Sequence, residues 1–117
     1  MLTYLIAGKY DSPQLAECQI LGEHLEKNFH VRVIVIAKHL AEWEVYSSKL
    51  YKSYGFPAKY NPIIYTLQGE LIGDAFQFME YISKKFSFRM HVNQDDIEKR
   101  AKLNIALIQE RYTRVSK

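Results

Sequence analysis

Two apolar segments separated by one helical stretch constrain the fold of this chain more than any other feature. Tyr4–Gly8 is a short apolar run closed by glycine, and Val31–Ile36 is β-branched at almost every position. Both patterns are typical of buried strands. The stretch between them carries Pro13 in its first turn and apolar residues at helical spacing, which predicts a helix ending near Asn28. A β-α-β unit with a crossover of this length favours a parallel pair of strands.

The same signals predict four more elements in the next fifty residues. A helix runs from about Leu40 to Tyr54, Asn61–Tyr65 and Glu70–Gly73 form an antiparallel hairpin, and a helix runs from about Ala75 to Phe86. The order β-α-β-α-β-β-α predicts the α/β class, with a mixed four-stranded sheet flanked by helices. This is the arrangement of thioredoxin-like proteins, and we assign it to a domain of residues 1–88.

The rest of the chain, residues 89–117, predicts a C-terminal extension made of one amphipathic helix. Asp95 and Asp96 stand at its start and basic residues at its end, which suits the helix dipole. Three alternatives stay open: the helix packs on its own domain, it binds a partner, or it leads into a second domain. Its nearly heptad stripe, the candidate partner-binding surface, consists of Ile97, Ala101, Ile105, Ile108, Tyr112 and Val115.

Composition excludes several classes of protein. A single cysteine among 117 residues forms neither an internal disulfide nor a cysteine-based zinc site, and the four histidines show no metal-ligand spacing. No apolar run reaches the roughly 20 residues that span a bilayer, and no signal peptide is evident, so we expect a cytoplasmic protein.

The net charge of +3 comes from the end of the chain, because residues 98–117 contain six basic and two acidic residues. Residues 1–97 therefore lack the basic patch that nucleic-acid binding requires.

The redox cysteines of thioredoxin-like proteins lie between the first strand and the first helix, and here that place holds no thiol. Ser12 takes the first cysteine's position and Leu15 the second's, while the lone Cys18 lies further along on the apolar face of the helix. Because a hydroxyl cannot undergo thiol–disulfide exchange, redox catalysis is excluded. Cys18 is predicted to be a buried hydrophobic residue, and we expect no enzyme activity.

Two more positions complete a vestigial ligand cleft. Asn61–Pro62 is predicted to be a cis peptide bond that enters the third strand, and Asp74 is a helix N-cap or a ligand contact. The alternative function is glutathione binding, or glutathione-transferase-like chemistry with Ser12 as the activating hydroxyl. Ala75 replaces the serine such transferases use, so we expect neither glutathione nor another cofactor. The cleft residues are Asp11, Ser12, Pro13, Asn61, Pro62 and Asp74.

Four segments in matching order resemble the N-terminal extension of the putative malate dehydrogenase 1B family. They are Leu5–Pro13, Leu25–Asn28, Trp43-Glu44 with Tyr46, and Asn61–Tyr65. The resemblance implies a thioredoxin-like module that precedes a malate-dehydrogenase-like domain. The nucleotide-binding loop and catalytic residues of that domain have no counterpart in these 117 residues. Family members keep Cys-Pro where this chain has Ser12-Pro13.

The resemblance also implies an association with motile cilia. The leading hypothesis is therefore a redox-inactive interaction or assembly module that binds protein partners, in a larger complex such as that of the ciliary axoneme. Neither nucleic acid nor a membrane is expected as a partner.

Overall fold

The computed structural model describes residues 1–57 and 59–115, with side chains described as far as residue 111. In this part of the chain four strands and four helices follow one another in the predicted order. The strands are β1 (Leu2–Lys9), β2 (Val31–Lys38), β3 (Ile63–Thr66) and β4 (Leu71–Gly73). The helices are α1 (Pro13–Asn28), α2 (Leu40–Tyr54), α3 (Ala75–Phe86) and α4 (Gln94–Val115).

The four strands form one mixed sheet in the order β2-β1-β3-β4. β1 and β2 are parallel, with Leu2 beside Val31 at one end and Lys9 beside Lys38 at the other. β3 is antiparallel to both β1 and β4. The predicted α/β class, with a mixed four-stranded sheet, flanking helices and a C-terminal helix, is confirmed.

The sheet separates two hydrophobic clusters. Successive residues of a strand point to opposite faces, so Tyr4 and Ile6 of β1 join one cluster while Ala7 joins the other. The first cluster lies under α1, α3 and α4, and the second lies under α2. In the second cluster Trp43, only 4% exposed, and Leu50 are the buried residues of α2.

Each cluster contains a pair of hydrogen-bonded tyrosines. The hydroxyl groups of Tyr4 and Tyr81 are 3.0 Å apart on the first face, and those of Tyr46 and Tyr65 are 2.7 Å apart on the second. Burial, together with these bonds, raises the pKa of Tyr4 and of Tyr65. Each of these tyrosine hydroxyl groups therefore has a hydrogen-bonding partner between the sheet and the helices that cover it.

Helix α1 packs against β2, and Gly22 permits close contact between them. A Cβ atom at Gly22 would stand 2.8 Å from Cγ1 of Val33, closer than packed carbon atoms tolerate. The glycine therefore serves packing in the middle of a helix, where it otherwise costs stability relative to alanine.

Helix α4 is packed against α1 and contributes to the first cluster. Val92, Ile97 and Ala101 are buried among residues of α1, α3 and the sheet. The predicted division at residues 88 and 89 stays a prediction, although side chains from both sides of it share one cluster.

Candidate functional site

The start of α1 is built around Ser12. Its hydroxyl oxygen accepts a hydrogen bond of 3.2 Å from the amide of Leu15 and donates one to Gln14. Ser12 is buried, whereas its neighbours Asp11 and Pro13 are exposed. Ser12, and not Asp11, is the N-cap of α1. The residue at the position of a redox cysteine is therefore engaged in holding the helix start.

The thiol of Cys18 is inaccessible. The residue is fully buried on the inward face of α1, as predicted from its helical spacing. Burial is the main reason that the pKa of this thiol is raised, and the nearby carboxylates of Glu17 and Asp74 raise it further. A thiol kept protonated within an apolar cluster is a poor nucleophile.

The Asn61–Pro62 bond is cis, as predicted, and it lies beside the carboxyl end of β1. The side-chain oxygen of Asn61 accepts a hydrogen bond of 2.9 Å from the amide of Lys9. A Cβ atom at Gly8 would stand only 3.0 Å from that oxygen, so the two segments are in close contact. Pro62 itself is fully buried.

Lys9 connects the two parts of the predicted cleft through its backbone. Its carbonyl accepts a hydrogen bond of 3.1 Å from the amide of Ser12, while its amide donates to Asn61. Ser12 and Asn61 are thus both hydrogen-bonded to the backbone of Lys9. The Ser12 amide and the Asn61 side-chain oxygen are therefore engaged in contacts within the domain.

Asp74 is the N-cap of α3 and forms a capping box with Gln77. The carboxylate accepts from the amide of Gln77 at 3.0 Å, and the side-chain oxygen of Gln77 accepts from the amide of Asp74 at 3.0 Å. The prediction of an N-cap is confirmed. The reciprocal arrangement satisfies two amide groups that a helix start leaves unpaired.

The predicted stripe of α4 faces the chain's own domain. Ile97, Ala101 and Ile108 are buried and Ile105 is half-buried. The side chains of Tyr112 and Val115 lie outside the described residues. The structure shows the first of the three alternatives left open by the sequence, a helix packed on its own domain. A partner therefore cannot reach Ile97, Ala101 or Ile108 without displacing the helix, and the assignment of the stripe to partner binding stays a prediction.

Two polar contacts join α4 to α1, and sequence analysis did not identify either. Arg100 donates to both carboxylate oxygens of Glu23, at 2.5 and 3.1 Å, and Asn104 donates to Gln19 at 2.6 Å. The hydrogen bonds that Arg100 donates to Glu23 raise the pKa of the Arg100 guanidinium. The one available signal was Asn104, a polar residue placed inside an apolar stripe, since such a residue needs a hydrogen-bonding partner when buried.

Two exposed leucines lie on the outer side of α4. Leu103 is 51% exposed and Leu107 is 55% exposed, and one helical turn separates them. Leu103 also borders a shallow groove between α4 and α1, together with Ile20 and Lys99. Among the side chains of α4 that the structure describes, these leucines are the large apolar ones exposed to solvent.

A larger groove of about 550 Å³ lies between α1, α3 and the segment that leads into α4. Sequence analysis did not identify this groove, because its walls come from three separate parts of the chain. Leu21 and Ile82 are its buried lining residues, and Phe76, 67% exposed, stands at its border. It is mainly apolar and its lining includes Met79 and Met90.

No group of three or more potential metal-ligating side chains occurs among the described residues. Within the same part of the chain, no helix combines the length and the hydropathy needed to cross a bilayer.

The fold and the site define a class: a mixed α/β domain with a cis-proline beside the first strand and a serine cap at the start of the first helix. A family model described as the putative malate dehydrogenase 1B N-terminal domain matches residues 3–116. The chain belongs to this family, as its resemblance suggested.

A putative malate dehydrogenase 1B from Branchiostoma floridae is 29% identical to this chain over 119 aligned residues. The match covers 94% of the chain but only 22% of that relative. The chain thus spans about a fifth of the length of the relative it matches.

Proposed function

We propose that this chain is a redox-inactive, thioredoxin-like module that binds protein partners. The observation that carries the proposal is the role of Ser12, whose buried hydroxyl caps α1 at the position where a redox domain of this type needs a thiolate. The strand order and the cis Asn61–Pro62 bond support the thioredoxin-like assignment. A hydroxyl engaged in capping supplies neither a thiolate nor a leaving group for disulfide exchange.

The state of Cys18 supports the same conclusion. It is the only cysteine in the sequence, and it is fully buried with a raised pKa. The 117 residues therefore offer neither a dithiol pair nor an accessible single thiol. We accordingly propose a binding role, not an enzymatic one, for this domain.

The proposed contact for a protein partner is the outer side of α4. Leu103 and Leu107 are exposed apolar residues at i and i+4, the spacing with which an amphipathic helix anchors in a partner's groove. The inner side of the same helix is fixed to α1 by Arg100 and Asn104. A helix held in this way presents its outer leucines at little further entropic cost.

The test is affinity purification of the tagged chain from its source cells, followed by chemical cross-linking and mass spectrometry. Cross-links from Lys99 or Lys102 to one reproducible protein are expected, since both lysines flank the exposed leucines. The double substitution Leu103→Asp/Leu107→Asp should abolish co-purification of that protein and its cross-links. The matched control is Leu67→Asp, because Leu67 is 59% exposed but lies between β3 and β4. A partner retained equally by the double variant contradicts the proposed surface.

We extend the proposal to a place in the cell, the ciliary axoneme. Membership of the putative malate dehydrogenase 1B N-terminal domain family supports this location through the association that the resemblance implies. Imaging of the tagged chain in ciliated cells tests it. A signal along the axoneme supports the proposal, and a signal confined to the cell body contradicts it.

A further inference from the structure

Strand β2 lies at one edge of the sheet. The backbone N–H and C=O groups of successive residues point alternately toward β1 and away from it. The carbonyl of Lys38 accepts a hydrogen bond of 2.8 Å from the amide of Tyr10, so Lys38 faces β1. Since the N–H and C=O groups of one strand residue point to the same side, the even-numbered residues of β2 pair with β1. The odd-numbered residues, Val31 to Ala37, direct their backbone groups outward.

Within the described part of the chain, two of the four outward amides have hydrogen-bonding partners and two do not. Val31 donates to the carbonyl of Phe29 at 2.9 Å, and Val33 donates to the carboxylate of Glu26 at 3.0 Å. No described group accepts from the amides of Val35 or Ala37, and Val35 is 36% exposed. The outer edge is therefore open along the second half of β2.

Open backbone groups at a sheet edge fit an extended segment that adds a strand. Such a segment can exchange both hydrogen bonds with Val35 and both with Ala37. The side chains around this edge also indicate the charge of the segment. Arg32 and Lys38 lie on one face of β2, His30 and His39 flank the strand, and positions 30–39 contain no acidic residue.

We propose that the outer edge of β2 binds an extended peptide segment whose alternate residues carry carboxylates. With every second residue acidic, the carboxylates lie on the same face as Arg32 and Lys38, and one of them lies opposite Lys38, next to the open amide of Ala37. A second copy of this chain fits less well, because it would bring its own Arg32 and Lys38 into the same strand pair. Glu26 already places a carboxylate on this edge, at Val33, and so limits the open stretch to Val35 and Ala37.

This inference shares with the proposed function only the premise that the domain binds protein. It does not involve Leu103 or Leu107, so substitution of those leucines should leave binding at the edge unchanged. The failure of one proposal therefore does not decide the other.

The experiment titrates the full chain with the synthetic peptide acetyl-Glu-Val-Glu-Val-Glu-Val-Glu-amide and follows backbone amides by NMR. Saturable binding with slowed hydrogen exchange at Val35 and Ala37 is expected. A peptide with lysine in place of glutamate should bind about tenfold more weakly. The double substitution Arg32→Glu/Lys38→Glu should reverse that preference.

Two further variants test the backbone contacts. Val35→Pro removes an outward amide without removing a bond to β1, so it should weaken binding about tenfold or more. Glu26→Ala frees the amide of Val33 and should tighten binding about fivefold. If Val35→Pro fails to fold, the charge reversal still decides the question.

Three results would overturn the proposal. The first is no saturable binding of the glutamate peptide at millimolar concentration. The second is equal binding of the glutamate and lysine peptides. The third is slowed exchange at Val35 and Ala37 that depends on protein concentration alone, which would identify a second copy of the chain as the occupant of the edge.

Discussion

The amide of Lys9 donates a hydrogen bond of 2.9 Å to the side-chain oxygen of Asn61, which joins the end of β1 to the cis-proline segment. The carbonyl of Lys9 in turn accepts from the amide of Ser12. Polar groups of the candidate cleft that are suited to bind a ligand are thus hydrogen-bonded to other residues of the domain.

Ser12→Ala should destabilise the fold by about 1 kcal/mol, because the amide of Leu15 loses its capping oxygen. Asp11→Ala is the matched control, since Asp11 is exposed and does not cap α1, and it should change the free energy of unfolding by less than about 0.5 kcal/mol. Urea denaturation of the three proteins measures the difference. An equal loss in both variants would show that Ser12 is not the functional cap.

The thiol of Cys18 should react with a disulfide reagent far more slowly in the native chain than in the urea-unfolded chain. The thiol is fully buried and its raised pKa keeps it protonated at neutral pH. Absorbance of the released thiolate follows the reaction. Rapid native reaction, at a rate close to that of the unfolded chain, would contradict the buried placement.

Stability should fall as the pH rises above about 9. The pKa of Cys18 in the folded chain is raised from its usual 9.0, and those of Tyr4 and Tyr65 from 10.0. Above these ordinary values the unfolded chain loses protons that the folded chain retains, which favours unfolding. The contribution is therefore intact below pH 9 and is lost progressively above it. Thermal unfolding between pH 7 and about 10.5 should show a shallower decline for Cys18→Ala.

The two sides of α4 should respond differently to truncation of their side chains. Ile108→Ala removes buried methyl groups and should cost about 2–4 kcal/mol. Leu107→Ala, on the exposed side, should change the free energy of unfolding by less than about 0.5 kcal/mol. Denaturant titration of both variants provides the comparison. Similar small costs would place the helix away from its own domain.

Calorimetry with glutathione at millimolar concentration should give no saturable heat. The Ser12 hydroxyl already has partners in Leu15 and Gln14, and Asn61 is bonded to Lys9. A saturable signal that Ser12→Ala abolishes would instead support the transferase-like alternative. Asp11→Ala again serves as the control variant.

Much of the fold could be predicted because local signals agree with one another. The pattern from Pro13 to Asn28 predicted α1 at its observed bounds, and the predicted helices from about Leu40 to Tyr54 and from about Ala75 to Phe86 match α2 and α3. The mixed sheet followed from the length of the β-α-β crossover and the short hairpin. These signals depend on spacing and capping, which act within a few residues.

Contacts between distant parts of the chain could not be predicted in the same way. The bonds of Arg100 to Glu23 and of Val33 to Glu26 depend on how α4 and β2 lie against α1. The sequence pattern located the apolar stripe of α4 but left open which surface would cover it. The residues of the candidate cleft were easier to predict, because Ser12 and Asp74 are helix caps whose partners are close in the sequence.

The division of the interior by the sheet has an optical consequence. Trp43, the sole tryptophan, is buried with Tyr46 and Tyr65 on the α2 face. Its emission should therefore report on that face alone. Detachment of α4 on the opposite face should leave the tryptophan spectrum almost unchanged while tyrosine and circular dichroism signals change. The two hydrophobic clusters can therefore be followed separately by spectroscopy in one unlabelled chain.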